Sequence, residues 1–238
     1  AGFWTYRAGD LVQAARNGRS DGDQRPVPPS ERRVFVDVSQ PDLVQISITR
    51  DEELVCAAGE SQLLFYAVDD LISGSAPASA IAPVASVPMP GGLRHFEWCP
   101  SLGPYKFLTV SRAGKLVVAS EKNLTLGEEN IGAASWSPDG SHIAYSRANV
   151  LSLSTPELDQ AIQVPLEHDD YSLRIDSIFW MSINSVLVEC MNVQSDDAEE
   201  EELAFCFVVQ FAKPTGSSLA RDDAVIESLR VSKLDEDS

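Results

Sequence analysis

The sequence has few of the residues from which catalytic and metal sites are built. Its 238 residues include three histidines, His95, His142 and His168, and no H-x-x-x-H or C-x-x-C spacing occurs. Metal sites usually need such convergent ligands. The serines fall outside G-x-S-x-G, and no glycine-rich phosphate loop is present. We therefore expect no enzyme activity, no metal and no cofactor.

Cysteine is also scarce, and its four positions lie far apart. Cys56, Cys99, Cys190 and Cys206 fall mostly inside apolar strand-like segments rather than in a closely spaced framework. Isolated cysteines within apolar segments are typical of buried free thiols in proteins of a reducing compartment. We expect free thiols here rather than disulfides.

Long apolar runs and basic residues are lacking as well. No stretch approaches the roughly 20 apolar residues of a membrane-spanning helix, so we expect no membrane insertion. Lysine and arginine together number 18 against 36 acidic residues, which gives a net charge of -18. Contacts with phosphates need clusters of Lys and Arg, so direct nucleic-acid binding is not expected. Any partner that binds by charge would be basic.

The most informative feature of the sequence is a repeated pattern of strand-forming and turn-forming residues, seen most clearly over residues 131–155. An apolar run ends at Trp136, and Ser-Pro-Asp-Gly follows at 137–140. Proline, aspartate and glycine at these successive positions suit a tight turn, which we expect Gly140 to close. Alternating apolar residues resume at Ile143. Period-2 spacing interrupted by turn residues predicts a β-meander.

This pattern of strands and turns recurs along the chain. Trp98, Trp136 and Trp180 follow one another at intervals of 38 and 44 residues, each at the end of an alternating run. A period of roughly 40–50 residues with four short strands per repeat is typical of β-propeller blades. We therefore predict an all-β, WD40-like β-propeller. The position of the tryptophans favours packing between blades over a ligand-stacking set.

Four blades are predicted, at about 43–90, 92–127, 131–165 and 173–231, within a single propeller domain or a fragment of one. A proline-rich loop is predicted at 19–33. A closed propeller leaves no strand edge unpaired, and blades of this length more often come in sevens. We expect this chain to be an incomplete piece of a seven-bladed ring. A closed four-bladed ring is the alternative.

Acidic residues concentrate in three predicted loops. In a propeller, loops that join successive blades share a face with the loops between the second and third strands of each blade. This topology places all three clusters on one face, as either solvated loops or a docking surface for a basic protein. The candidate residues are Glu128, Glu129, Glu167, Asp169, Asp170, Asp196, Asp197, Glu199, Glu200, Glu201 and Glu202.

Four segments appear in an order that resembles a known family. They are GLRHFEWCP, KFLTVSRAGKLVVAS, IGAASWSPDGSHIAYSRANVLSLSTPE and LRIDSIFWMSINSVLVEC. Together they resemble the N-terminal β-propeller of the cytoplasmic-face FG nucleoporin that docks the DEAD-box helicase of mRNA export. The segment LVQISITRDEELVCAAGESQLLFYAVDDL resembles the preceding blade, so the resemblance covers about 43–212.

The resemblance implies a seven-bladed propeller without catalysis, at the cytoplasmic face of the nuclear pore complex in the nuclear envelope. The implied partners are a DEAD-box RNA helicase and other nucleoporins, in mRNA export and nucleocytoplasmic protein transport. The sequence departs from the family by lacking phenylalanine-glycine repeats and coiled-coil heptads, and no helicase-contact residue is carried over. A generic WD40-like protein-interaction adaptor in another complex is the alternative function.

Overall fold

The computed structural model describes residues 2–5, 34–37, 42–72, 81–102, 104–120, 124–127, 129–158, 161–193, 204–211 and 224–229. The predicted loop at 19–33 lies outside these residues. The chain divides into two compact units, Ala1–Leu93 and Arg94–Ser238. The assignment of both units to one propeller domain stays a prediction.

The first unit contains a strand pair and a four-stranded sheet. Strands β1 (Gly2–Thr5) and β2 (Val34–Asp37) pair antiparallel. Sheet A consists of β3 (Leu43–Ile48), β4 (Leu54–Gly59), β5 (Gln62–Ala67) and β6 (Ala85–Pro88), adjacent in that order, and the short helix α1 (Val68–Ile72) follows β5. Residues from β4, β5 and α1 form its core, namely Val55, Ala57, Leu64, Tyr66 and Leu71.

The second unit contains three further four-stranded antiparallel sheets, each a meander in chain order. Sheet B consists of β7 (Leu93–Trp98), which begins at the unit boundary, β8 (Lys106–Ser111), β9 (Leu116–Ser120) and β10 (Leu124–Leu126). Sheet C consists of β11 (Ile131–Trp136), β12 (Ile143–Arg147), β13 (Val150–Ser154) and β14 (Ala161–Pro165). Sheet D consists of β15 (Leu173–Ser182), β16 (Ser185–Asn192), β17 (Ala204–Phe211) and β18 (Ala224–Leu229). The predicted all-β fold of four-stranded blades is confirmed.

Each sheet of the second unit packs on the next because its strands carry apolar residues on both faces. We call the face towards the preceding sheet the entry face and the other the exit face. In sheet C, Trp136, Ile143 and Tyr145 on the entry face share a buried cluster with residues of sheet B. Leu151 and Leu153 on the exit face share another with residues of sheet D. Two-faced burial of this kind explains why apolar runs replace simple alternation in the central strands.

A carboxylate adds a polar link between sheets B and C. Glu97 accepts a hydrogen bond from the backbone N–H of Trp136 at 3.2 Å and one from Ser135 Oγ at 3.3 Å. The acceptor lies at the end of β7 and both donors lie at the end of β11. The link therefore fixes the register of one first strand against the next.

The three tryptophans occupy equivalent places in the three sheets of the second unit. Trp98 and Trp136 end their strands and are 8% and 2% exposed. Trp180 follows Ile175 by five residues, as Trp136 follows Ile131, and its Nε1–H donates to the carbonyl oxygen of Ser135 at 3.3 Å. Trp180 is only half-buried, because β15 runs past it to an exposed turn. Trp136 and Trp180 thus make packing contacts between sheets, whereas Trp98 packs on Phe96 and Phe107 of its own sheet.

The turn between β11 and β12 has the predicted form. The N–H of Gly140 donates to the carbonyl oxygen of Ser137 at 2.8 Å, and Gly140 has a φ of +70°. Asp139 Oδ1 accepts from the hydroxyls of Ser137 and Ser141, each at 2.7 Å. Partial burial raises the pKa of Asp139, but the hydrogen bonds from Ser137 and Ser141 outweigh it, so the pKa is lowered overall.

We predict that Gly140→Ala lowers the free energy of unfolding by about 1–2 kcal/mol. A side chain at positive φ is strained, and a Cβ at this position would lie 2.6 Å from Cys99 Sγ. Urea melts of Gly140→Ala, Cys99→Ala and the double variant separate the two causes. The double variant should regain the part of the loss that comes from the sulfur contact. An unfolding free energy unchanged by Gly140→Ala would contradict this account of the turn.

Candidate functional site

The loops between successive sheets meet the turns of the preceding sheet at one end of the second unit. The loop 127–130 leads from β10 into β11, and the N–H of Ile131 donates to the carbonyl oxygen of Gly114 at 2.8 Å. Gly114 lies in the turn between β8 and β9, and a Cβ added there would lie 3.0 Å from Asn130 Cα. This inter-sheet loop therefore lies directly on a turn between second and third strands.

The loop 166–172 repeats the arrangement one sheet further along. The N–H of Leu166 donates to the carbonyl oxygen of Asn149 at 2.9 Å, and Asn149 Nδ2 donates back to the carbonyl oxygen of Leu166 at 3.1 Å. The N–H of Ile175 donates to the carbonyl oxygen of Ala148 at 2.9 Å. Both partners belong to the turn between β12 and β13. The loop 166–172 is thus held by a turn of the same kind as the loop 127–130.

The two loops lie at the same end because β11 and β15 run in the same direction. A Cβ on Gly132 would lie 3.1 Å from the carbonyl oxygen of Ile175. Further along both strands, Trp180 Nε1 bonds the carbonyl oxygen of Ser135 at 3.3 Å. The starts of the two strands are therefore side by side. We call this end of the second unit, defined by loops 127–130 and 166–172, the acidic end.

Val193 and Phe205 both contact the loop 166–172 of the acidic end. The N–H of Val193, which follows β16, donates to the carbonyl oxygen of Ser172 at 2.7 Å. The ring of Phe205, at the start of β17, lies 4.8 Å from the ring of His168 and 5.3 Å from that of Tyr171. The end of β16 and the start of β17 therefore lie beside the loop 166–172.

The predicted partner-binding residues divide into two groups. Those in the described loops are exposed: Glu129 in the loop 127–130, and Glu167, Asp169 and Asp170 in the loop 166–172. The others lie outside the described residues, namely Glu128, Asp196, Asp197, Glu199, Glu200, Glu201 and Glu202. The described carboxylates therefore belong to one end of the second unit, and their role as a binding surface stays a prediction.

An aromatic cluster that was not predicted lies under the acidic end. His168 and Tyr171 lie 5.1 Å apart between their ring centroids, and both contact Phe205. The N–H of Asp170 donates to His168 Nδ1 at 3.2 Å, which shapes the loop around the ring. In the sequence, only His168 and Tyr171 among acidic residues pointed to this cluster. Its third member, Phe205, lies more than 30 residues further along the chain.

Metal-ligating side chains do not converge among the described residues. These residues contain no group of three or more His, Cys, Asp and Glu side chains that could hold a metal ion. A cavity of about 60 Å³ lies beside Lys106, Thr125 and Glu157. It is far smaller than the roughly 300–1,000 Å³ of small-molecule sites. No helix in the described part of the chain has the length and apolar character that a membrane span requires.

The cysteines are free thiols, as predicted. Cys56, Cys99 and Cys190 are buried, and Cys206 is half-buried. Burial raises the pKa of Cys56, and burial with the nearby Cys206 and Glu189 raises that of Cys190 to about 12. Burial and Glu189 also raise the pKa of Cys206. Since the thiolate is the nucleophile, these shifts make the three thiols less reactive than an ordinary cysteine at neutral pH.

Comparison with known proteins finds similarity in structure only. No family model matches the sequence, and no curated protein matches it. The N-terminal domain of Nup159 is similar, at 12% identity and a TM-score of 0.59, over 92% of this chain and 54% of that one. Nup159 in an S. cerevisiae complex with a Dbp5 variant, a Gle1 variant, IP6 and ADP gives 11% identity, a TM-score of 0.59 and the same coverage. A chain of the mitotic checkpoint complex gives 6% identity and a TM-score of 0.52, over 78% of this chain and 52% of that one.

These comparisons define the fold. The sheets are blades of a β-propeller, and the resemblance to the nucleoporin propeller drawn from the sequence is confirmed at the level of the fold. This chain spans about half the length of the solved chains it resembles. At identities of 11% and 12%, this likeness shows the fold alone.

We predict slow alkylation of the native thiols. At pH 8, Cys56 and Cys190 should react with iodoacetamide far more slowly than a free cysteine, because their raised pKa leaves little thiolate and their side chains are buried. Cys206 should react first among the three, since it is only half-buried. Mass spectrometry of timed digests measures the order, with urea-unfolded chain as the control in which the three react alike. Rapid labelling of Cys190 in the folded chain would contradict the assignment.

Proposed function

We propose that this chain is part of a single, non-enzymatic propeller domain of a nuclear pore component that docks a DEAD-box RNA helicase in mRNA export. The observation that carries the proposal is the likeness over 92% of the chain to the Nup159 domain, a protein solved in complex with Dbp5. The ordered sequence segments that resemble the nucleoporin propeller support it independently. The proposal includes the cytoplasmic face of the pore and contacts with other nucleoporins.

The acidic end is the surface that we propose for helicase docking. Its described carboxylates are exposed, and they lie on two loops that β11 and β15 bring to one side. The net charge of -18 favours a basic partner surface. Opposite charges across an interface mainly raise the association rate and the specificity. The proposal also takes in the six acidic residues at 196–202, which lie close in sequence to Val193 and Phe205.

A WD40-like adaptor in another complex is the second candidate. The observation in its favour is the likeness to a chain of the mitotic checkpoint complex, with a TM-score of 0.52. A shared propeller fold does not select a partner, because the same fold carries many unrelated functions. Binding to the helicase discriminates the two candidates.

We predict that reversing Glu167, Asp169 and Asp170 to lysine slows association with the helicase more than it speeds dissociation. The association rate constant should fall about tenfold or more at low ionic strength, because attraction between opposite charges speeds the diffusional encounter of the two proteins. The effect should shrink as salt rises, because the Debye length falls to about 8 Å at physiological ionic strength. Surface plasmon resonance or stopped-flow fluorescence gives both rate constants.

A matched control is Glu157→Lys. Glu157 is also exposed, but it lies in the turn between β13 and β14, at the opposite end of sheet C. Reversal of the charges at 196–202 should have a smaller effect than reversal in the loop 166–172, since a run of like charges usually stays solvated. If the loop variant and Glu157→Lys change the association rate equally, the acidic end is not the docking surface. If the unmodified chain does not bind the helicase, the adaptor alternative is favoured.

A further inference from the structure

The rings of His168 and Tyr171 are half-buried at the surface of the acidic end. They lie in a loop between Leu166 and Leu173, which are 1% and 6% exposed and anchor it. Both rings contact Phe205, at centroid distances of 4.8 and 5.3 Å, and they lie 5.1 Å from each other. The cluster therefore holds both rings in place, and a ligand that covers them does not have to order them first.

This cluster lies at the junction of two sheets of the second unit rather than on an outer face of either. Phe205 belongs to the apolar cluster that sheets C and D share, and Tyr171 packs against that cluster. Phe205 is 6% exposed and forms the floor on which the two rings rest. The surface left open above it is made by the loop 166–172 itself.

Exposed carboxylates lie beside both rings in the sequence, and the loop 166–172 contains no lysine or arginine. The first basic residue after the loop, Arg174, pairs instead with Asp176 at 3.7 Å. Within the part of the chain that the structure describes, the loop carboxylates form no salt bridge. Three negative charges therefore flank the rings without a counter-charge from the described residues. They are Glu167, Asp169 and Asp170.

The ring of His168 is neutral in this arrangement. Its Nδ1 accepts a hydrogen bond from the backbone N–H of Asp170 at 3.2 Å. A ring nitrogen that accepts carries no proton, so the one proton of the ring is on Nε2. A neutral ring does not repel a cation, and the face of the neighbouring Tyr171 ring attracts one. The rings and the carboxylates therefore favour the same kind of ligand, a positive group that can stack.

Arginine fits this combination better than lysine does. A planar guanidinium stacks on an aromatic face while its N–H groups bond a carboxylate in bidentate fashion, whereas an ammonium is a strongly hydrated point charge. We propose that the ring pair of His168 and Tyr171 binds an arginine side chain of a basic partner, with the N–H groups directed to the flanking carboxylates. The inference rests on the docking role proposed for the acidic end and deepens it, because it names the side chain that this surface selects.

Two peptides of equal charge test the selection. One is a five-residue lysine peptide with blocked ends, and the other has arginine in place of its central lysine. Isothermal titration calorimetry with the 238-residue chain at low ionic strength gives both values of Kd. We expect the arginine peptide to bind about fivefold or more tighter, because only arginine adds stacking on the rings. Equal values of Kd would overturn the proposal, since charge alone does not distinguish the two peptides.

Variants locate the preference. Tyr171→Leu should bring the two peptides to equal Kd and leave the lysine peptide nearly unaffected, whereas Tyr171→Phe keeps the ring and should keep the preference. Replacing the three loop carboxylates by their amides should weaken both peptides. The matched control is Tyr105→Leu, because Tyr105 is also half-buried but lies before β8, at the opposite end of sheet B, beside Trp98. A preference for arginine that survives Tyr171→Leu would overturn the proposal.

Nuclear magnetic resonance of the unmodified chain gives a test that does not depend on the folding of a variant. At saturation with the arginine peptide, we expect nuclear Overhauser contacts between the arginine δ protons and the rings of Tyr171 and His168. Contacts elsewhere on the chain and none with these rings would overturn the proposal. Neither peptide involves the helicase. A chain that selects arginine but does not bind the helicase would contradict the proposed function alone, and helicase binding without the preference would contradict this inference alone.

Discussion

The structure depends on the packing of one two-faced sheet on the next. In sheet C, neighbouring positions on β12 face in opposite directions, so that Ile143 packs towards sheet B while Ala144 packs towards sheet D. The apolar cluster between sheets B and C and the one between sheets C and D each contain residues of two sheets, so a single sheet could bury neither of them. The polar links follow the same rule, since Glu97 bonds the next first strand and Trp180 bonds the preceding one. The loops at the acidic end take their positions from this stacking.

The fold could be predicted because its signals are local. The turn at 137–140 is specified by residue types at successive positions, and the tryptophans recur where each first strand ends. The four-stranded antiparallel meanders of sheets A, B, C and D follow from similarly local patterns of apolar and turn residues. The helix α1 was not predicted, because Val68–Ile72 follows an apolar strand without a break in hydrophobicity. A five-residue helix leaves too short a pattern to be distinguished from the end of a strand.

The candidate site was predictable only in outline. The acidic clusters are visible in the sequence, and the meander topology correctly indicates that Glu129 and the loop 166–172 belong to the same end. The contacts that fix that end are long-range: Phe205 packs on His168, and Ala148 bonds Ile175. Such contacts leave no periodic pattern of apolar residues in the sequence. The half-exposure of Trp180 likewise follows from the length of β15, which runs past it to an exposed turn, and the spacing of the tryptophans does not contain that information.

The fold and the charge of the chain support different parts of the proposed function. The propeller supplies a rigid set of strand ends, and the acidic residues on them could serve any basic partner. The choice of a DEAD-box helicase comes from likeness to a domain solved with Dbp5 and from the ordered sequence segments. The central claim is therefore that a helicase binds at the acidic end and not elsewhere.

Hydrogen–deuterium exchange of the chain, alone and saturated with the helicase, tests that claim most directly. The account predicts slower exchange on binding in the loop 166–172, with the turn between β13 and β14 unchanged. Slower exchange confined to that opposite turn, or no difference at a helicase concentration that saturates the chain, would contradict it.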